Sequence, residues 1–181
     1  MRHYLIAGAL MAALATGCTS RQTDFCGQWS REAEEPLISL KGIETIDLRT
    51  DSTFKVSNKM MFSHSDSNLC CRMNMTVRVE GRWDRTNQGD LLMHYRTESL
   101  TVDPDSASFS LEATKAGVEV PAEIAAASYS ELIDGVTNYY KTGYQTISDG
   151  GGMMLMMPQV IDSQLYARIG GQTVSWEKTN Y

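Results

Sequence analysis

The chain is 181 residues long, with a formal net charge of −6 and a pI near 5.0, and its length suits a single domain. Hydrophobic residues make up 42% and charged residues 21%, close to globular averages and unlike disordered or fibrous chains. The acidic balance argues against nucleic acid as a partner, because phosphate binding needs a basic face.

Met1-Arg2-His3 is a short basic start, and Tyr4 to Ala15 is almost wholly apolar and ends in small residues. This is the pattern of a secretory signal, too short for a resident membrane span. Leu14-Ala15-Thr16-Gly17-Cys18 resembles a bacterial lipobox, in which small residues fit the lipoprotein peptidase and the cysteine thiol accepts diacylglycerol. The resemblance implies a lipoprotein signal peptide over residues 1–17, lipidation at Cys18, a lipidated tether over 18–24 and the folded domain over 25–181. Acyl chains such as palmitate on one cysteine hold a protein on a membrane, since each buried CH₂ contributes about 0.8 kcal/mol. Thr19 is not the aspartate of inner-membrane retention, so the expected place is the outer membrane, periplasmic or surface-exposed.

Three further cysteines follow: Cys26, Cys70 and Cys71. In an oxidising compartment one disulfide is expected, with an odd thiol left over. Strand parity puts Cys70 and Cys71 on opposite faces, so at most one easily reaches Cys26. A metal or redox site built from His64, Cys70 and Cys71 is the alternative, but no C-x-x-C spacing supports it. Neither a metal nor a cofactor is expected.

The rest of the chain reads as strands. Ile43–Leu48 and Thr53–Met60 form a hairpin around Thr50-Asp51-Ser52, with Phe54, Val56, Met60 and Phe62 on one side. Cys71, Met73, Met75, Val77 and Val79 alternate with Arg72, Asn74, Thr76, Arg78 and Glu80, the signature of a half-buried antiparallel strand. Gly81 and Trp83 continue the inward parity. Thr86-Asn87-Gln88-Gly89 supplies turn chemistry. Leu91, Met93 and Tyr95 then face inward on the return strand, with His94, Arg96 and Glu98 outward. Asp103 and Asp105 flank Pro104, and Glu34-Glu35 precede Pro36, both in turn-like contexts. Pro121 suits the first turn of a helix. The segment that follows runs to Lys141, with Ala125, Tyr129, Leu132, Val136 and Tyr139 in one stripe and Gly143 as the stop. Leu165, Ala167 and Ile169 precede a Gly170-Gly171 turn into Thr173–Lys178, where Val174 and Trp176 share a face. Strands at this spacing suggest a sandwich or an up-and-down barrel.

A family pattern is carried by Phe25-Cys26-Gly27-Gln28-Trp29, the hairpin from Ile46 to Phe54, Glu80-Gly81-Arg82-Trp83, Gly89-Asp90-Leu91-Leu92 and Val174-Ser175-Trp176-Glu177-Lys178. This succession resembles the bacterial lipocalin-like lipoproteins of Bacteroides-type bacteria, and it covers most of residues 25–178. The resemblance implies an all-β, up-and-down antiparallel barrel of about eight strands, with one helical insertion near 121–141. It further implies that Trp29 plugs one barrel end, with Lys178 where the family carries an arginine, and that the opposite mouth admits a ligand. With Trp29 and Gly27 inward, Cys26 falls on the same side as Cys70. That makes Cys26–Cys70 the bridge the resemblance implies, with Cys71 as the alternative.

Nine of the eleven methionines lie beyond the signal, among them Met153, Met154, Met156 and Met157. Methionine fills irregular gaps and lines adaptable binding surfaces. No G-x-S-x-G, H-E-x-x-H or phosphate-cradling loop is present, so no enzyme is expected. The expected function is binding of a small apolar molecule in a barrel lined by Trp29, Phe54, Val56, Met73, Met75, Val77, Met93 and Tyr95. The alternative is a filled barrel acting as a protein-interaction module, an enzyme inhibitor or an accessory subunit of a cell-surface complex.

Overall fold

The computed structural model describes residues 22–115 and 117–179; the expected signal peptide, its expected lipidation site Cys18 and the expected tether up to residue 21 lie outside the described residues. Eight antiparallel strands follow one another around a closed ring. They are β1 (Gly27–Glu35), β2 (Leu40–Leu48), β3 (Thr53–Ser65), β4 (Leu69–Arg85), β5 (Leu91–Ala113), β6 (Met153–Ile161), β7 (Gln164–Ile169) and β8 (Gln172–Lys178). One helix, α1 (Ala122–Asp149), is inserted between β5 and β6. The fold is an all-β up-and-down barrel with one helical insertion.

The ladders set four levels across β1 to β4. Lowest is Gly27–Leu48–Phe54–Gly81, and next comes Trp29–Ile46–Val56–Val79. Above these run Arg31–Glu44–Asn58–Val77 and Ala33–Gly42–Met60–Met75. Gly81 carries no side chain because the Phe54 ring lies across it: a Cβ there would sit 2.5 Å from that ring and 2.1 Å from the His94 carbonyl oxygen.

The ring closes only over its lower levels. β5 meets β6 through Leu91, Leu92 and Met93, and β8 meets β1 through Trp29 and Ser30. Inside this closed half Phe25, Trp29, Ile46, Leu48, Phe54, Val79, Trp83, Met93, Leu155, Leu165 and Trp176 form one buried cluster. The Trp29 indole N–H donates to the Phe25 carbonyl oxygen at 2.8 Å, and Lys178 Nζ stands 5.4 Å from the Trp29 ring, close enough for a cation–π contact. Trp83 Nε1 donates to the carbonyl oxygens of Arg49 and Thr53 at 3.2 and 3.1 Å.

Above those rungs β2 to β5 continue as a sheet, and α1 packs on it. Val136 and Tyr140 of the helix join Leu40, Met60, Met73, Met75 and Val77 in a second buried cluster. The helix passes through Gly143, where a stop was expected, and ends at Gly150. Tyr144 and Ile147 explain the extra turns, since both pack against the lower cluster, and that burial outweighs the roughly 1 kcal/mol cost of a mid-helix glycine.

Two other expectations are corrected. Asp103, Pro104 and Asp105 are not a turn but lie inside β5, opposite Thr76, Met75 and Asn74. The ring has opened at that height, so β5 is an edge strand, where a proline is tolerated. The expected Cys26–Cys70 bridge, with Cys71 as its alternative, is also absent. Cys26 adjoins Gly27, on the level of Gly81, and Cys70 lies eleven residues further along β4. At about 3.3 Å per residue that is over 30 Å, against the roughly 6 Å between Cα atoms that a disulfide allows. Cys70 and Cys71 are free thiols.

Candidate functional site

Where the ring opens, the inward-facing residues of β1, β2 and β3 are no longer covered by strands β6 to β8, and α1 does not fill the space they leave. The result is a cavity of about 760 Å³ between the barrel mouth and the helix. That is within the usual range for small-molecule sites. Its walls are Ile38, Ile46, Val56 and Tyr95 from the barrel, Tyr139, Tyr140, Tyr144 and Ile147 from α1, and Met153, Ile169 and Trp176 from the C-terminal strands. Gly135 and Gly143 form part of the helical wall, where the missing side chains leave room.

One level of this wall is polar. Arg31, Glu44 and Asn58 sit directly opposite one another on β1, β2 and β3, and all three line the cavity. Arg31 Nε donates to Glu44 Oε1 at 2.6 Å, and Trp176 Nε1 donates to the same oxygen at 2.9 Å. The Arg31 guanidinium also stands 4.9 Å from the Trp176 ring centroid. At the rim Tyr139 donates its hydroxyl to Glu35 Oε2 at 2.8 Å, clipping α1 to the end of β1.

Asn58 is only 6% exposed, and its Oδ1 has no hydrogen-bond partner among the described residues; the same holds for the Tyr140 hydroxyl. The Asn58 side chain is near enough to oppose the rise in the Tyr140 pKa, but the pair does not reach hydrogen-bond geometry. Burial raises the pKa of Tyr95, Tyr140 and Tyr144 well above the ordinary phenol value, with the charge of Glu44 adding to each rise. Tyr139 is raised first by its hydrogen bond to Glu35. All four phenols therefore stay protonated at neutral pH and can donate a hydrogen bond.

Of the residues expected to line a ligand cavity, Val56 and Tyr95 do so. Trp29, Phe54 and Met93 are buried below the cavity in the closed half, Met73 and Met75 are buried above it against α1, and Val77 is buried on the level of the polar row. They face inward, but the neighbours they meet there are other side chains, so they fill the interior and leave no space. Sequence parity held a signal for the missed residues. Stepping by two from Trp29 reaches Arg31 and Glu35, and stepping by two from Phe54 and Val56 reaches Asn58. A polar residue that interrupts an apolar alternation on the inward face marks this level.

No family model, curated protein or solved structure matches the chain.

Among the described residues no group of three or more His, Cys, Asp or Glu could hold a metal ion. His64 and His94 are exposed, and His94 faces Asp84 at 3.8 Å on the outer surface. Among the described residues no helix is long and apolar enough to cross a membrane.

Proposed function

We propose that the protein is a lipid-anchored, lipocalin-like lipoprotein that binds a small, mostly apolar molecule in the cavity between the barrel mouth and α1. The observation that carries this reading is a single cavity of about 760 Å³ with predominantly aromatic and aliphatic walls and a short polar row on one side. Such pockets derive affinity from apolar burial and orientation from a few placed polar groups. The hydrogen-bonded pairs in its wall, Arg31–Glu44 and Tyr139–Glu35, support a role in orienting a bound molecule. Acylation at Cys18 would tether the domain to the outer membrane.

Trp176 reports on the cavity, because it is 1% exposed and lines the wall, whereas Trp29 and Trp83 are buried in the closed half. A titrated ligand changes tryptophan emission in the native chain and leaves it unchanged in Trp176→Phe. Native mass spectrometry of protein purified without detergent should show an adduct of a few hundred daltons. A clean apo mass, together with silent fluorescence across apolar probe classes, would sink the reading. Incorporation of labelled palmitate, lost in Cys18→Ala, tests the anchor.

The alternative, a protein-interaction module, is favoured by one feature. Met154, Met156, Met157, Val160 and Ile161 are all exposed on β6, and contiguous exposed apolar surface marks interaction sites. Crosslinking on intact cells that recovers a partner through β6, with the cavity empty, would favour it.

A further inference from the structure

Given that the cavity binds a small apolar molecule, we infer that this molecule carries a hydrogen-bond-donating head, a hydroxyl or an amine, seated against Asn58 and Tyr140. The inference rests on that reading of the cavity and adds the chemistry of the ligand.

Three buried side-chain polar atoms lack a hydrogen-bond partner among the described residues. Two of them, Asn58 Oδ1 and Tyr140 Oη, line the same cavity, from β3 and from α1; the third, Gln28 Oε1, does not. Each of the two residues is 6% exposed. An amide oxygen has only lone pairs to offer, so what satisfies it must be a donor. The Tyr140 hydroxyl can accept as well as donate, so a donating head can pair with both atoms. Burying such atoms unpaired is costly, which gives a ligand that pairs them an advantage over one that does not.

The charges in the wall argue in the same direction. Glu35 and Glu44 are the carboxylates lining the cavity and Arg31 its one guanidinium, already taken up by Glu44 at 2.6 Å. A carboxylate-headed ligand would meet no uncommitted cation there and would face two negative groups. A donor head meets acceptors. The apolar body then lies along Val56, Tyr95, Tyr144 and Ile147.

Four probes sharing one fluorescent body test this on the full chain: 1-pyrenemethanol, 1-pyrenemethylamine, 1-pyrenecarboxylate and 1-methylpyrene. Energy transfer from Trp176 reads binding. The alcohol and the amine should bind about five- to tenfold more tightly than the carboxylate and the methyl compound, the effect of one or two satisfied hydrogen bonds. Asn58→Leu and Tyr140→Phe should each reduce that preference toward unity, read within each variant as the ratio of the alcohol's affinity to that of 1-methylpyrene; near-UV circular dichroism verifies that both variants keep the fold. Equal binding of all four probes, or tightest binding of the carboxylate, overturns the head-group assignment and leaves the cavity reading intact. A preference that survives in both variants overturns the placement at Asn58 and Tyr140. Failure of every probe to bind the native chain overturns the cavity reading and this inference together.

Discussion

The closed and open halves of this barrel are built from the same strands, yet they solve different problems. In the closed half all eight strands meet, and Trp29 and Trp83, both 0% exposed, pack with Phe54 and Leu48 into a filled interior. In the open half β1 and β5 lose their neighbours, and α1 takes the place of missing strands. A helix cannot match the curvature of the sheet it replaces, so space remains at the junction. That space is where Arg31, Glu44, Asn58 and the tyrosines of α1 collect. The comparison teaches that stability and binding are separated by height along the same strands: the lower levels hold the fold, and the level where the ring opens holds the site.

This division can be broken or sharpened by experiment. The largest effect belongs to Trp83→Ala in the closed half. Removing a buried indole and its two hydrogen bonds costs about 3–5 kcal/mol, measured as a lower denaturation midpoint with an unchanged slope. A loss as large from truncating a half-buried cavity residue such as Tyr139 would break the division. Arg31→Met comes next. It leaves the half-buried Glu44 carboxylate with only the Trp176 N–H, a loss of about 1–3 kcal/mol, and urea unfolding at neutral pH reads it.

Alkaline pH acts on the junction itself. Tyr95, Tyr140 and Tyr144 have folded-state pKa values raised by burial. Their contribution to stability is complete below the unfolded tyrosine value of about 10, and is lost as pH rises beyond it, because the unfolded chain then releases protons that the folded chain keeps. Tyrosinate absorbance at 295 nm should therefore appear in two stages, with these three phenols ionising only as far-UV circular dichroism is lost. A smooth single titration of every tyrosine in the folded protein would show that the cavity wall is not closed to solvent.

Smaller effects follow. Asn58→Leu and Tyr140→Phe remove Asn58 Oδ1 and the Tyr140 hydroxyl, which have no partner among the described residues, so both should be within about 1 kcal/mol of the native chain or slightly more stable. A clear destabilisation by either would show that the atom is paired in solution. Smallest of all, Cys70→Ser should shift stability by less than about 0.5 kcal/mol, where loss of a native disulfide would cost about 2–5 kcal/mol. Mass analysis under oxidising conditions should show no bridge between Cys26 and Cys70.

The strands are legible because one face is buried, and burial on one face writes a period of two into the sequence. Phe54, Val56, Met73, Met75, Val77, Met93 and Tyr95 were assigned to the inward face on that basis, and all are buried. Local sequence suggests a shorter β5, because Pro104 looks like a turn; only the absence of a strand on its far side lets proline sit there. The helix was placed from its stripe but ended too early, because Gly143 reads locally as a stop and Tyr144 and Ile147 gain their packing from residues distant in sequence.

The sequence by itself determined alternation, and with it the strands, their inward faces and the position of the helix, because these follow from local periodicity and from the chemistry of turns. Its first eighteen residues resemble a signal peptide and lipobox, a pattern that other proteins would read without any fold. Only the tertiary structure decided which inward residues fill the interior and which surround a cavity. That depends on where β6 and β8 stop pairing with β5 and β1, a property of ladders between segments far apart in the chain. The same ladders separate Cys26 from Cys70 and bring Arg31, Glu44 and Asn58 to one level, since register between strands, and not parity within them, fixes height in a barrel.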